Sequence, residues 1–292
     1  MYTNNFSLPT PIESIVVDSR EFLVKRDDLI DPHLAGNKFR KLYSLVVDPP
    51  KNIYRIISYG GTQSNAMLAI AKMSQENSWE FFYYTKPLSK QQKQQQSGNY
   101  SQALLLGMQH FELHEELYRN FVASLSIGQQ DGVVVIHQGG ANKIAQEGLF
   151  ALAQEILRQN PPTKQLATPS GTGTTAYFLA KNLPEYTVYT APTIGNSEYL
   201  KTQMGAFGAL PKNLVILKPP KKYPFAKPNR EFFELYMRLQ KSGIEFDLLY
   251  APLLWKMLLE QTKGNLLYIH SGGVSGNKTM LERYRKKGIF AT

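Results

Sequence analysis

Gln165-Leu-Ala-Thr168 runs into Pro169-Ser-Gly-Thr-Gly-Thr-Thr175, and that into Ala176-Tyr-Phe-Leu-Ala-Lys181. The first part reads as a short buried strand and the last as a helix. The middle is a turn rich in glycine and hydroxyls. Gly171 and Gly173 let the backbone approach an anion. Ser170, Thr172, Thr174 and Thr175 can donate to it, and the helix start adds partial positive charge. The unit therefore reads as a phosphate cradle. Gly171, Gly173 and Ala176 also fit the G-x-G-x-x-G/A dinucleotide pattern, which needs an acid about 20 residues on, at the end of the next strand. That strand ends Val188-Tyr-Thr-Ala-Pro192, with no acid, so a nicotinamide cofactor is rejected. A P-loop is rejected too, because no Gly-Lys-Ser/Thr closes the pattern.

Working outward, the same alternation recurs along the chain. Ile53–Tyr59, Trp79–Thr85, Gly132–His137, Thr187–Thr190, Asn213–Leu217 and Leu266–His270 read as further strands. Helical patterns lie between them. Phe232, Leu235, Tyr236 and Leu239 keep i, i+3, i+4, i+7 spacing, with Asn229 as cap and Gly243 as stop. Strands alternating with helices predict an α/β fold of mostly parallel sheets with helices on both faces. Pro49-Pro50 and Pro161-Pro162 bracket about a hundred residues, which suits a small domain inserted into a larger one. His110 and His114 share i, i+4 spacing, but no Glu completes a zinc motif, so a solvated helix face is expected and no metal. The Lys90–Gln96 tract reads as an exposed loop or helix face.

Composition narrows the function. The chain has 292 residues and no Cys, which excludes disulfides, cysteine metal sites and a thiol nucleophile. Lys and Arg number 33 against 23 Asp and Glu, a formal charge of +10. An excess of that size raises nucleic acid as a partner, but the cations are spread out, with short clusters at Lys218–Lys222 and Arg283–Lys287. A solvated surface is the preferred reading. No apolar run approaches the roughly 18–20 residues of a membrane span. The N-terminus lacks a basic start with an apolar run behind it, so a cytoplasmic protein is expected.

Two further stretches carry chemistry. In Ala35-Gly-Asn-Lys38-Phe-Arg-Lys41, Gly36-Asn37 breaks the chain and a helix starts near Lys38. A lysine at a helix start beside other cations should have a lowered pKa and so offer a free amine to carbonyls. In Ser58-Tyr-Gly-Gly-Thr-Gln-Ser-Asn65, a strand end meets a helix start with amide and hydroxyl donors. That arrangement suits a carboxylate, or simply a capped helix.

Together these stretches resemble the fold type II pyridoxal-phosphate enzymes, specifically the 1-aminocyclopropane-1-carboxylate deaminase / D-cysteine desulfhydrase family. The resemblance runs from about Thr10 to Val274. Lys25-Arg-Asp-Asp and Gly36-Asn-Lys-Phe-Arg-Lys-Leu42 match the family's KRDD…GGNKxRKL, which marks Lys38 as the Schiff-base lysine. Gly60-Gly-Thr-Gln-Ser-Asn65 resembles its GGxQSN. This implies that Asn65 meets the cofactor's phenolic oxygen, while Gln63 and Ser64 hold the substrate carboxylate. Gly171, Thr172, Gly173, Thr174 and Thr175 would form the phosphate cup. Gln138-Gly-Gly-Ala-Asn142 resembles the family's Gly-Gly loop. Phe246-Asp-Leu-Leu-Tyr250 resembles the segment whose Tyr lies over the cofactor, and His270-Ser-Gly-Gly273 the terminal H-T-G-G.

The resemblance implies a tryptophan synthase β-like fold. Residues 1–48 and 148–292 would form the large cofactor domain, and 49–147 the small substrate domain. It implies pyridoxal 5'-phosphate, a small amino-acid substrate and, by analogy, a homodimer, with neither nucleic acid nor membrane as partner. Lys38 would be the base at the substrate Cα, Tyr250 and Ser64 would assist, and Tyr223 would sit on the substrate side. The departures are Ala35 where the family has Gly, Ala66 where it has His or Gln, and Ala251-Pro252 where it has Glu or Thr against the pyridine nitrogen. Ser271 is then the candidate partner of that nitrogen. The expected activity is a lyase or deaminase giving a 2-oxo acid and ammonia. A D-cysteine desulfhydrase-like elimination, with sulfide, is favoured over cyclopropane ring opening, which leans harder on the electron sink. The alternatives are a degenerate cofactor-binding relative and, more distantly, a basic nucleic-acid binder.

Overall fold

The computed structural model describes residues 6–34, 36–94, 98–125, 128–140 and 144–290. Ala35, Ala141, Asn142 and the end of the Gln-rich tract lie outside the described residues. The chain opens with β1 (Ile12–Val17) and β2 (Arg20–Lys25). It then lays down β3 (Arg55–Tyr59), β4 (Glu80–Thr85), β5 (Met108–Glu112), β6 (Gly128–Gln130) and β7 (Val133–Ile136). It closes with β8 (Gln165–Ala167), β9 (Thr187–Thr190), β10 (Leu214–Ile216) and β11 (Leu267–Ile269).

These strands form two sheets. The first has the order β1-β2-β11-β8-β9-β10 and the second β5-β4-β3-β7-β6. In each, only one edge pair is antiparallel, β1 with β2 and β6 with β7. The other pairs are parallel, as the strand–helix alternation predicts. Pairing β2 with β11 brings the start of the chain beside its end, in the register Lys25 with Ile269.

Two elements depart from expectation. The β1–β2 hairpin turns on Asp18 and Ser19, both at positive φ. Tight hairpins are usually signalled by Asn-Gly or Asp-Gly, and here the glycine is missing. His110 lies on β5 rather than on a helix face, and His114 precedes the Glu115–Ser124 helix. The His110 ring bonds Thr85 and Tyr100, so strand packing claims it. No metal-holding cluster occurs among the described residues, and no described helix is long and apolar enough to cross a membrane.

Between the sheets runs the segment that carries Lys38. Ile30, Leu34, Phe39, Leu42, Leu45 and Val46 pack into the core of the second sheet. The Asn37–Lys41 helix also lies against the Ala145–Gln159 helix. Gly148 makes that approach possible, since a Cβ there would stand 1.9 Å from the Arg40 carbonyl oxygen.

Candidate active site

Lys38 is placed by the two residues before it and by a buried ionic cluster behind it. Gly36 adopts φ +58 and ψ −135. A Cβ on it would fall 2.1 Å from the Ser271 carbonyl, so a side chain is excluded both by conformation and by space. The Asn37 N–H donates to that same carbonyl at 3.2 Å, tying the lysine's turn to the end of β11.

On the far side, Arg40 forks onto two carboxylates. Its Nε and Nη2 donate to Asp27 at 2.9 Å each, and its Nη1 and Nη2 to Glu155 at 2.7 and 2.8 Å. Lys25 Nζ donates to Glu155 at 3.0 Å and to the Thr10 carbonyl at 2.7 Å. Arg40 and Lys25 are 0 % exposed, so charge balance, two cations against two anions, is what makes the cluster tolerable. The K-R-D-D and N-K-x-R-K signatures are thus one object in space, with Arg40 turned inward and Lys38 toward a cavity.

That cavity measures about 400 Å³. Lys38, Asn65, Tyr250, Ser271 and the Gly171–Thr175 turn all line it. Lys38 Nζ donates to Asn37 Oδ1 at 3.0 Å. Burial lowers its pKa to about 8, against a smaller opposing pull from Asp247. The direction matches the expectation from sequence; the leading cause is burial rather than a neighbouring cation. An apoprotein should therefore take up an aldehyde faster as pH rises to about 8, where the ammonium gives way to the amine, and level off above it. Stopped-flow absorbance from pH 6 to 9 checks this, and a flat profile would contradict it.

The turn after β8 fits an anion. The Thr172 and Thr174 hydroxyls are 2.9 Å apart at the start of the Thr174–Asn182 helix. Thr175 Oγ1 is buried without a hydrogen-bond partner, which leaves an uncompensated donor in the cavity wall that an anion could satisfy. Tyr250 heads the Ala251–Gln261 helix. Its backbone N–H and that of Leu249 donate to Asp247 Oδ1 at 2.6 and 2.9 Å. Burial pushes the Tyr250 hydroxyl's pKa up, so it stays a proton donor at neutral pH. Ser271 is almost fully buried at the end of β11.

Other expected residues stand elsewhere. Gln63 and Ser64 are not among those lining the cavity. Ser64 Oγ caps the Asn65–Glu76 helix by accepting from the Met67 N–H, and the Gln63 carbonyl accepts from Asn99. Ala66 packs into the second sheet's core. Tyr223 does not line the cavity; its hydroxyl donates to Glu231 and its ring stacks on Phe232. His270 is structural, accepting at Nδ1 from the Gly272 N–H and donating from Nε2 to the Glu245 carbonyl.

Lys41, Tyr59, Ile194, Tyr199 and Gln203 line the cavity without a role assigned from the sequence, and His137 lines it too. Lys41 donates to the Gly139 carbonyl at 3.0 Å, and its pKa is lowered by burial and by Lys38. Its signal was present, because i, i+3 spacing puts it on the Lys38 face of one helix. Lys38 is therefore not the sole cation of the cavity. Tyr59 and His137, at the ends of β3 and β7, bond each other at 2.7 Å, a pairing that no local pattern announces. No carboxylate lines the cavity among the described residues.

No family model matches the chain. A Thermotoga maritima protein, named provisionally as a 1-aminocyclopropane-1-carboxylate deaminase, is 26 % identical over 92 % of this chain and 95 % of its own length. The structure superposes on an ACC deaminase homologue with a TM-score of 0.72 and 18 % identity, covering 94 % of this chain and 93 % of that one. With the processed form of a threonine deaminase from Solanum lycopersicum the TM-score is 0.62 at 13 % identity, covering 94 % and 87 %. With a hydrogen sulfide-producing enzyme from Fusobacterium nucleatum it is 0.61 at 11 % identity, covering 92 % and 96 %.

The fold is that of the fold type II pyridoxal-phosphate enzymes. The resemblance read from the motifs is borne out, and so is the α/β class. At these identities the solved structures establish the fold; among type II enzymes, chemistry is set by the residues of the individual site.

Proposed function

We propose that the chain is a pyridoxal-phosphate-dependent lyase or deaminase that converts a small amino acid to a 2-oxo acid and ammonia. The observation that carries this is the meeting of Lys38, Asn65, Gly171–Thr175, Tyr250 and Ser271, drawn from both sheets, around one cavity. Lys38 would hold the cofactor, and Gly171, Thr172, Gly173, Thr174 and Thr175 would take its phosphate, with Lys41 lining the same cavity as a further donor. Asn65 donates to its phenolic oxygen and Ser271 meets its ring nitrogen. When bound, the cofactor supplies the electron sink for a carbanion at the substrate Cα. Lys38 would take the Cα proton, and Tyr250 would deliver a proton to the departing group. Gln63 and Ser64, which stand outside the cavity lining with Ser64 capping the Asn65–Glu76 helix, would have to turn toward the cavity to hold the substrate carboxylate at that helix start. The domain division proposed is 1–48 with 148–292 against 49–147, with the cleft between them, although Ile30, Leu34, Phe39, Leu42, Leu45 and Val46 pack with the core of the second sheet and so cross that division; a homodimer follows by family analogy.

Elimination of a good leaving group, as from D-cysteine, is favoured over cyclopropane ring opening. Its support is the chemistry opposite the ring nitrogen. Ala251 is buried and apolar, and no described carboxylate lines the cavity. A hydroxyl there holds a ring proton less firmly than a carboxylate, which weakens the sink that ring opening needs. The test incubates the yellow protein with D-cysteine, L-cysteine, D-serine and 1-aminocyclopropane-1-carboxylate and assays 2-oxo acid and sulfide. Turnover of a cysteine with sulfide release is expected, at least about tenfold above the cyclopropane substrate, a difference of about 1.4 kcal/mol in barrier. Faster turnover of the cyclopropane would reverse the preference. Oxo acid from none of them would leave a cofactor-binding relative without turnover.

A further inference from the structure

We propose that Asn99 is a positioning residue that decides which end of the Asn65 amide faces the cofactor. The inference rests on the reading above, in which Asn65 meets the phenolic oxygen. Asn99 is fully buried at the start of the Asn99–Leu105 helix and does not line the cavity. Its orientation is set by a group with only one possible role. The Gln63 carbonyl can only accept, and Asn99 Nδ2 lies 3.3 Å from it. The same Nδ2 donates to Asn65 Oδ1 at 2.7 Å. At its other end, Asn99 Oδ1 accepts from the Ser275 hydroxyl at 3.0 Å.

The assignment then propagates. Asn99 Nδ2 spends its two protons on Gln63 and Asn65. The atom of Asn65 facing it must be oxygen, so Asn65 offers the cavity its NH2. A flipped Asn65 would set two amino groups face to face at 2.7 Å and aim an acceptor at an anionic oxygen. The relay also spans the cleft. Asn99 belongs to the chain of the second sheet, while Ser275 sits in the short turn Val274–Gly276 that follows β11 of the first.

A donor on the phenolate disperses its charge and lowers its hold on the proton it shares with the lysine nitrogen. Asn99→Asp removes both donor protons, and its carboxylate attracts the Asn65 NH2 away from the cavity. The pH at which the lysine-bound cofactor changes colour should then rise by about one unit, tenfold in the proton equilibrium. Asn65→Ala should move it in the same direction, and adding Asn99→Asp to Asn65→Ala should move it no further. Ser275→Ala, which leaves both amides in place, should give a smaller shift of the same sign.

A merely structural Asn99 would behave differently. Asn99→Asp would lower the melting temperature and cofactor affinity, leave the colour-change pH unmoved, and add to Asn65→Ala. That result in a folded, coloured variant overturns the proposal. Should Asn99→Asp fail to fold, an unmoved Ser275→Ala overturns it equally. A wild-type protein that takes up no cofactor would instead sink the functional reading, and this inference with it.

Discussion

Arg40→Ala should lower the unfolding free energy by about 3–5 kcal/mol, the usual penalty for leaving a buried charge without its partner. Arg40 forks onto both Asp27 and Glu155, and its removal leaves two carboxylates facing the lone ammonium of Lys25. Among the described residues, no other cation is bonded to Asp27. Arg40→Lys should rescue little, because a single ammonium cannot reproduce two planar forks. Urea melts read the difference. As a control, Lys201→Ala breaks an exposed pair with Glu198 and should cost about 0–1 kcal/mol. A loss for Arg40→Ala no larger than the control's would show that the cluster is not held by charge pairing.

The same cluster has an acid limb. Burial opposes ionisation of Asp27, but Arg40, its hydrogen bonds and Lys25 outweigh it and hold the carboxyl below its ordinary range. A depressed carboxyl stabilises the fold above its unfolded pKa, and the gain is lost as pH falls through the folded value. Wild-type stability should therefore fall in acid, below the ordinary carboxylate range. Arg40→Ala should flatten that fall.

Lys38→Ala should abolish the yellow colour that borohydride fixes and reduce oxo-acid formation by about 10³-fold or more, since it removes both the anchoring amine and the base. Its fold should survive, because the Lys38 ammonium makes no salt bridge among the described residues and burial already disfavours its charge. Circular dichroism and a melt at or above the wild-type temperature check that. Lys41 is the built-in competitor, a second buried lysine on the same helix face lining the same cavity. Peptide mapping after borohydride reduction should find the adduct on Lys38 alone. An adduct persisting on Lys41 in Lys38→Ala would reassign the anchor.

Much of the fold was legible because its units are local. Strands β3, β4, β7, β8, β9, β10 and β11 announced themselves as short runs rich in apolar residues, and the helix after β8 began at its glycines. Lys38, Asn65, Tyr250 and the Gly171–Thr175 turn were legible as motifs for the same reason: each is a strand end or helix start whose chemistry is carried by neighbouring residues. The β1–β2 hairpin was not, because its turn is built on Asp18 and Ser19 without glycine. The β5 strand was misread because two histidines four apart mimic a helix face, while its real support comes from Thr85 and Tyr100.

What the sequence by itself determined is the alternation that makes two parallel sheets and the residue types gathered at their strand ends. Periodicity and turn chemistry act over a few residues, so they are written along the chain. The tertiary structure alone decided which of those ends face one another. Arg40 meets Glu155, Lys41 meets the Gly139 carbonyl, and Asn99 meets both Asn65 and Ser275. These partners are separated in sequence by tens to more than a hundred residues. Their pairing follows from how the two cores pack, because a buried charge or amide takes its partner from whatever the fold brings within about 3 Å.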